Sequence, residues 1–78
     1  MKDFLLKIVA LIADNPENIE ITEETEENLK IYTISVPEEE MGRIIGKGGK
    51  VISAIRNLAR LKASRNNEKI LVRVNPKS

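Results

Sequence analysis

Three glycines in four positions, Gly46-Lys47-Gly48-Gly49, stand between Arg43-Ile44-Ile45 and Lys50-Val51-Ile52. Glycine accepts positive φ and carries no Cβ to hold a ligand away. A helix opening at Gly49 or Lys50 would aim free N–H groups and the positive end of its dipole at the same spot. Lys47 and Lys50 add charge there. Together these features suit a phosphodiester backbone. Two nucleotide loops fail on spacing. For a Walker A loop begun at Gly42, Lys47 stands where the second glycine must be; begun at Gly46, Val51 does. A dinucleotide fingerprint begun at Gly46 also meets Val51, and 78 residues are too few for either fold.

Other chemistry is poorly provided for. The chain has no histidine and no cysteine. The commonest general base, the commonest neutral metal ligand and any thiolate site are therefore missing. No enzyme, metal or cofactor is expected. Glu38, Glu39 and Glu40 suit a helix start, and Glu23 to Glu27 suit a solvated turn. The net charge of +1 conceals an asymmetry. Residues 1–40 hold three lysines against eleven acids, a balance of −8. Residues 41–78 hold ten basic residues against Glu68 alone, a balance of +9. The glycine loop opens this basic half, which points to an anionic partner met at short range.

The elements that must position the loop follow from periodicity. Residues 3–14 read as a helix, with Asp3 as N-cap and Asn15-Pro16 as its stop. Its apolar run from Phe4 to Ala13 is too short to span a bilayer and lacks a cleavage pattern, so a cytoplasmic chain is expected. Residues 18–22 and 29–36 alternate as two strands of a hairpin, with 23–28 as the turn. Tyr32, Ile34 and Val36 share one face. A short helix starts at Pro37, buries Met41, Ile44 and Ile45, and ends at Gly46. The next helix runs to about Ala63, followed by a loop over Ser64–Asn67 and a strand over 69–74. Residues 75–78 read as a flexible tail. The order α-β-β-α-α-β, with a helical crossover between residues 29–36 and the last strand, gives an α+β fold. A three-stranded mixed sheet with three helices on one face is expected, as a single domain over 1–78. The wide apolar face of the first helix, with Leu29, Ile31 and Leu71 on the sheet's open face, suggests a contact surface.

Ile44-Ile45-Gly46-Lys47-Gly48-Gly49-Lys50-Val51-Ile52 resembles the I-I-G-x-x-G-x-x-I signature of KH domains. With the element order, the whole chain resembles the type II KH arrangement and the KhpA family of bacterial single-KH proteins. The resemblance implies a G-x-x-G loop that clamps about four nucleotides of single-stranded RNA, or single-stranded DNA in vitro. It implies that Gly46, Lys47, Gly48 and Gly49 hold phosphate. Ile45 and Ile52 would floor the base groove. Arg43, Lys50, Ser53 and Arg56 would flank the strand, with Lys62 and Arg65 of a variable loop as the far wall. A stacking reader of the RRM or OB kind would need aromatic platforms. Phe4 and Tyr32 are the only aromatics, and both fall in core elements. The resemblance further implies an RNA chaperone or post-transcriptional regulator that forms a homodimer, or a heterodimer with a larger KhpB-like KH protein. The rival reading is a protein-interaction module that pairs with another KH protein and has no RNA binding of its own.

Overall fold

A computed structural model describes residues 1–77. Helix α1 covers Lys2–Ile12, and a 3-10 turn at Pro16–Asn18 leads into strand β1, Glu20–Glu26. Strand β2 covers Leu29–Val36. Helices α2, Glu38–Ile45, and α3, Lys50–Arg65, flank the glycine loop, and strand β3 covers Lys69–Pro76. The sheet order is β1-β2-β3. β1 runs antiparallel to β2, with Ile21 opposite Ile34, and β2 runs parallel to β3, with Tyr32 opposite Val72. The expected α+β arrangement, a three-stranded mixed sheet with three helices, is the fold observed.

One hydrophobic core joins the helices to one sheet face. Leu5 and Val9 of α1, Ile44 of α2, and Ile52, Ile55 and Ala59 of α3 meet Ile21, Tyr32, Ile34, Val36 and Val72. Burial pushes the Tyr32 phenol above its ordinary pKa of 10.0. Ile31 and Thr33 point to the open face yet are 5% and 7% exposed. They lie on the central strand, where neighbours on β1 and β3 cover them; Arg73 Nε donates to Thr33 Oγ1 at 3.2 Å.

Several boundaries differ from the sequence expectation. β1 does not stop at residue 22; it continues through Glu26, leaving Glu27-Asn28 as a two-residue turn with Glu27 at φ 56°. Acids in an edge strand keep their side chains in water while the backbone pairs, so their polarity does not end the strand. Asp3 lies inside the first turn of α1 rather than capping it, and the helix stops at Ile12. Ser64 and Arg65 belong to α3, so the expected loop shrinks to Asn66–Glu68. Asn67 at φ 56° turns the chain there, and Glu68 N–H closes onto Ala63 O at 2.9 Å. The expected tail is also partly ordered: Asn75 and Pro76 pair with Ser35 and Val36 in β3. Lys77 N–H donates to Val36 O at 2.7 Å, and Lys77 Nζ donates to Asn18 O at 3.1 Å. Ser78 lies outside the described residues.

Glu40 is the second departure of consequence. Capping would leave it in solvent, but it is 2% exposed. Its carboxylate accepts Asp14 N–H at 2.7 Å and Asn15 N–H at 2.9 Å. The first turn of α2 is thereby fixed to the corner that ends α1, and Arg43 repeats the link with an ion pair to Asp14 at 2.9 Å.

Candidate functional site

The loop is built from two helix ends. Gly46 closes α2 with φ 77°, and its N–H donates to Gly42 O at 2.8 Å. Gly49 N–H donates to Gly46 O at 3.1 Å, and Lys50 N–H to Lys47 O, which folds Lys47–Gly49 into a single 3-10 turn. Gly48 at φ 65° and Gly49 at φ 77° complete the reversal into α3. Three positive-φ glycines within four residues are what permit α3 to begin so soon after α2 ends.

These glycines have different surroundings. A Cβ on Gly46 would lie 2.3 Å from Val51 Cγ2 and 2.9 Å from Val51 N. The glycine there lets α3 pack against the end of α2. At Gly48 and Gly49 no heavy atom lies within 4 Å of the same position. Nothing of the chain itself needs that room, and a ligand backbone can approach it. Lys47 and Lys50 are exposed on either side of that open ground, at the N-terminus of a sixteen-residue helix. A phosphate placed there meets two cationic side chains, the dipole end of α3 and the amides of Lys47 and Gly48. Those two amides have no backbone partner among the described residues.

The remaining expected site residues divide into three groups. Ser53 is exposed on α3 one turn after Lys50, on the same side. Arg56, a further turn on, is half-buried and donates from Nε to Val72 O at 3.0 Å. That bond ties it to β3, which has no neighbouring strand beyond it among the described residues. The line Gly46–Gly49, Lys50, Ser53, Arg56 therefore runs from the loop toward the free edge of the sheet. Ile45 and Ile52 sit beneath it. Ile45 is half-buried against the core, and Ile52, at 6% exposed, belongs to the core itself. Arg43 and Arg65 do not join this line. Arg43 pairs with Asp14 on the α1 side. Arg65 is nine residues beyond Arg56, half a helical revolution out of phase, and lines a groove with Phe4, Leu58, Leu61 and Lys62. Sequence spacing on α3 could have placed Arg65 on that side, had the helix been extended two residues. Glu40 gave no such signal, because its role depends on where α1 ends.

Among the described residues no cluster of three or more His, Cys, Asp or Glu side chains could hold a metal. No described helix is long and apolar enough to cross a membrane.

Comparison with known proteins gives a consistent picture. The KhpA/KhpB KH-domain family model matches residues 2–74. The chain is 39% identical to the RNA-binding protein KhpA of Listeria monocytogenes over 74 residues, 95% of this chain and 97% of that protein. It is 42% identical to the RNA-binding protein KhpA of Chlamydia caviae over 74 residues, 95% of each chain. A relative of the same description from Clostridium acetobutylicum is 32% identical over 95% of this chain and 99% of its own.

Proposed function

The chain belongs to the KhpA/KhpB KH-domain family, and from that premise we propose that it binds single-stranded RNA, gripping about four nucleotides at Gly46–Gly49. A KH domain is a binding module, and no catalytic step is assigned to it. The observation that carries the reading is the open ground over Gly48 and Gly49, flanked by Lys47 and Lys50 at the head of α3. The backbone of the strand passes over the glycines, where no Cβ stands in the way. Loop amides and the α3 dipole meet its phosphates, and Lys50, Ser53 and Arg56 follow it toward the edge of β3. Bases then face Ile45 and the β3 edge, where side-chain and backbone contacts choose among them.

One such module holds few phosphates, so its affinity is modest. Useful binding arises when modules are joined, as a homodimer or with a larger KhpB-like KH protein, through effective concentration. A weak, salt-sensitive grip on unpaired RNA suits an RNA chaperone or post-transcriptional regulator.

The test is the double variant Lys47→Asp, Gly48→Asp. Aspartate tolerates left-handed φ better than most residues and meets no neighbour at Gly48. Circular dichroism is expected to show an intact fold, and fluorescence anisotropy with a labelled single-stranded RNA is expected to show binding lost. RNA binding retained by the folded variant refutes the loop assignment.

A further inference from the structure

Arg56 is the one cation on the line from the glycine loop to β3 that the fold itself orients. Its Nε donates to Val72 O at 3.0 Å, and the residue is half-buried. Among the described residues its Nη groups have no hydrogen-bond partner, and no carboxylate pairs with it. A guanidinium carries its N–H donors in one rigid plane. With Nε–H held by β3, that plane is fixed and the Nη fork is left to donate. A strut to Val72 O needs a single donor, which lysine would supply; the fork beyond it is what lysine lacks.

Position separates Arg56 from the phosphate contacts. Lys50 and Ser53 are exposed on α3. Arg56 is six residues beyond Lys50, about 9 Å along the axis and about a third of a revolution around it. The rotation carries it toward Ile52, its neighbour four residues earlier, which belongs to the core. On the strand that it reaches, Ile70 and Val74 share the face of Val72, and both are half-buried. A phosphate is well served by exposed lysines. A half-buried fork bordered by aliphatic side chains suits a base, whose flat face covers apolar groups while its edge accepts hydrogen bonds.

We infer that Arg56 selects a guanine, its Nη fork donating to O6 and N7. The inference rests on the RNA-binding reading above and adds the base that the groove prefers. Guanine sets two acceptors side by side on one edge, which matches the fork. Adenine places an amino donor beside N7, and uracil places an N–H between its carbonyls, so each turns a donor toward a donor. Cytosine offers O2 and N3 as a pair, but its single ring covers less of the aliphatic floor than a purine does. Partial burial sharpens the choice. A hydrogen bond made there is stronger than one in water, and a donor left unmatched there costs more.

The experiment uses the full chain and fluorescence anisotropy at low salt. The probes are a labelled oligouridine and the same oligonucleotide with one central guanosine, adenosine, cytidine or deazaguanosine, the last with C–H in place of N7. The guanosine RNA is expected to bind roughly fivefold or more tighter than the adenosine, cytidine and all-uridine RNAs. Deazaguanosine should lose most of that advantage, and this comparison leaves the protein unaltered. Arg56→Lys keeps the charge and a donor for Val72 O. In that variant the ratio of guanosine to uridine affinity is expected to fall toward one, with thermal unfolding run alongside. Lys47→Asp with Gly48→Asp should weaken all five RNAs together.

The inference is overturned if the parent chain prefers another base or none, or if deazaguanosine binds as well as guanosine. It is equally overturned if Arg56→Lys weakens every RNA in the same proportion, which makes Arg56 a phosphate contact or a strut. Equal affinity for all five RNAs that is still lost in the loop double variant removes the guanine assignment and leaves the loop reading standing. A guanosine preference that survives the loop double variant at full affinity supports Arg56 and removes the loop reading instead.

Discussion

A methyl group added at Gly46 and one added at Gly48 would meet different surroundings, and the difference separates scaffold from the proposed ligand surface. At Gly46 the methyl would overlap Val51, and φ is 77°. Gly46→Ala is therefore expected to destabilise the fold by more than ~2 kcal/mol, through steric overlap added to backbone strain. At Gly48 only the strain at φ 65° applies. Gly48→Ala should cost about 1–2 kcal/mol while weakening RNA binding by more than that loss of stability accounts for. Urea unfolding of each variant, beside anisotropy at a temperature where both are folded, separates the two effects. Equal destabilisation by the two substitutions would show that Val51 yields to the new methyl.

Two connections between elements set the aim of the loop. Glu40 fixes α2 to the end of α1 through two backbone N–H groups, and Arg43 adds an exposed ion pair to Asp14 that contributes little by itself. Glu40→Ala leaves two donors without their charged acceptor and is expected to lower stability by about 1–3 kcal/mol. Hydrogen exchange should quicken at Asp14 and Asn15 before the sheet is affected. The hairpin offers the converse. Glu27 occupies the first position of a two-residue turn at φ 56°, a place that glycine fills without strain. Glu27→Gly is expected to stabilise the chain by about 0.5–1 kcal/mol in thermal unfolding, since relief of left-handed strain outweighs the added chain entropy. A fall in stability would mean that the glutamate makes a compensating contact.

Across the whole molecule, charge is sorted by the fold as well as by the sequence. The acidic residues 1–40 supply the central strand β2 and, at one edge, β1 with its glutamates, and the basic residues 41–78 supply β3 at the other edge. With a net charge of +1, long-range attraction to RNA is weak and local contact dominates. Three or four phosphates held on a single strand give a slope of log K against log salt of about −2 to −3. Titrations between low and physiological salt should return that slope for the isolated module. A slope near zero would remove the phosphate clamp, and one far steeper would require a second contact surface.

The glycine spacing, the apolar periods of the helices and the alternation in β2 are local properties. They suffice for the element order, the mixed sheet and the position of the loop between two helices, because each depends on backbone freedom or on burial of one face. The length of β1, the last turn of α3 and the pairing of Asn75 and Pro76 depend on what lies alongside them. Glu23–Glu26 become strand because β2 offers hydrogen bonds, and no feature of four acidic or polar residues announces that partner. The same limit applies to function. The sequence places cations on α3, but only the packing of α3 on β3 puts Arg56 at the free edge of the sheet, and only the packing of α1 beside α3 sets Phe4 with Lys62 and Arg65 around an apolar groove. Helical phase is known only once the buried face is known, and tertiary packing determines which face is buried.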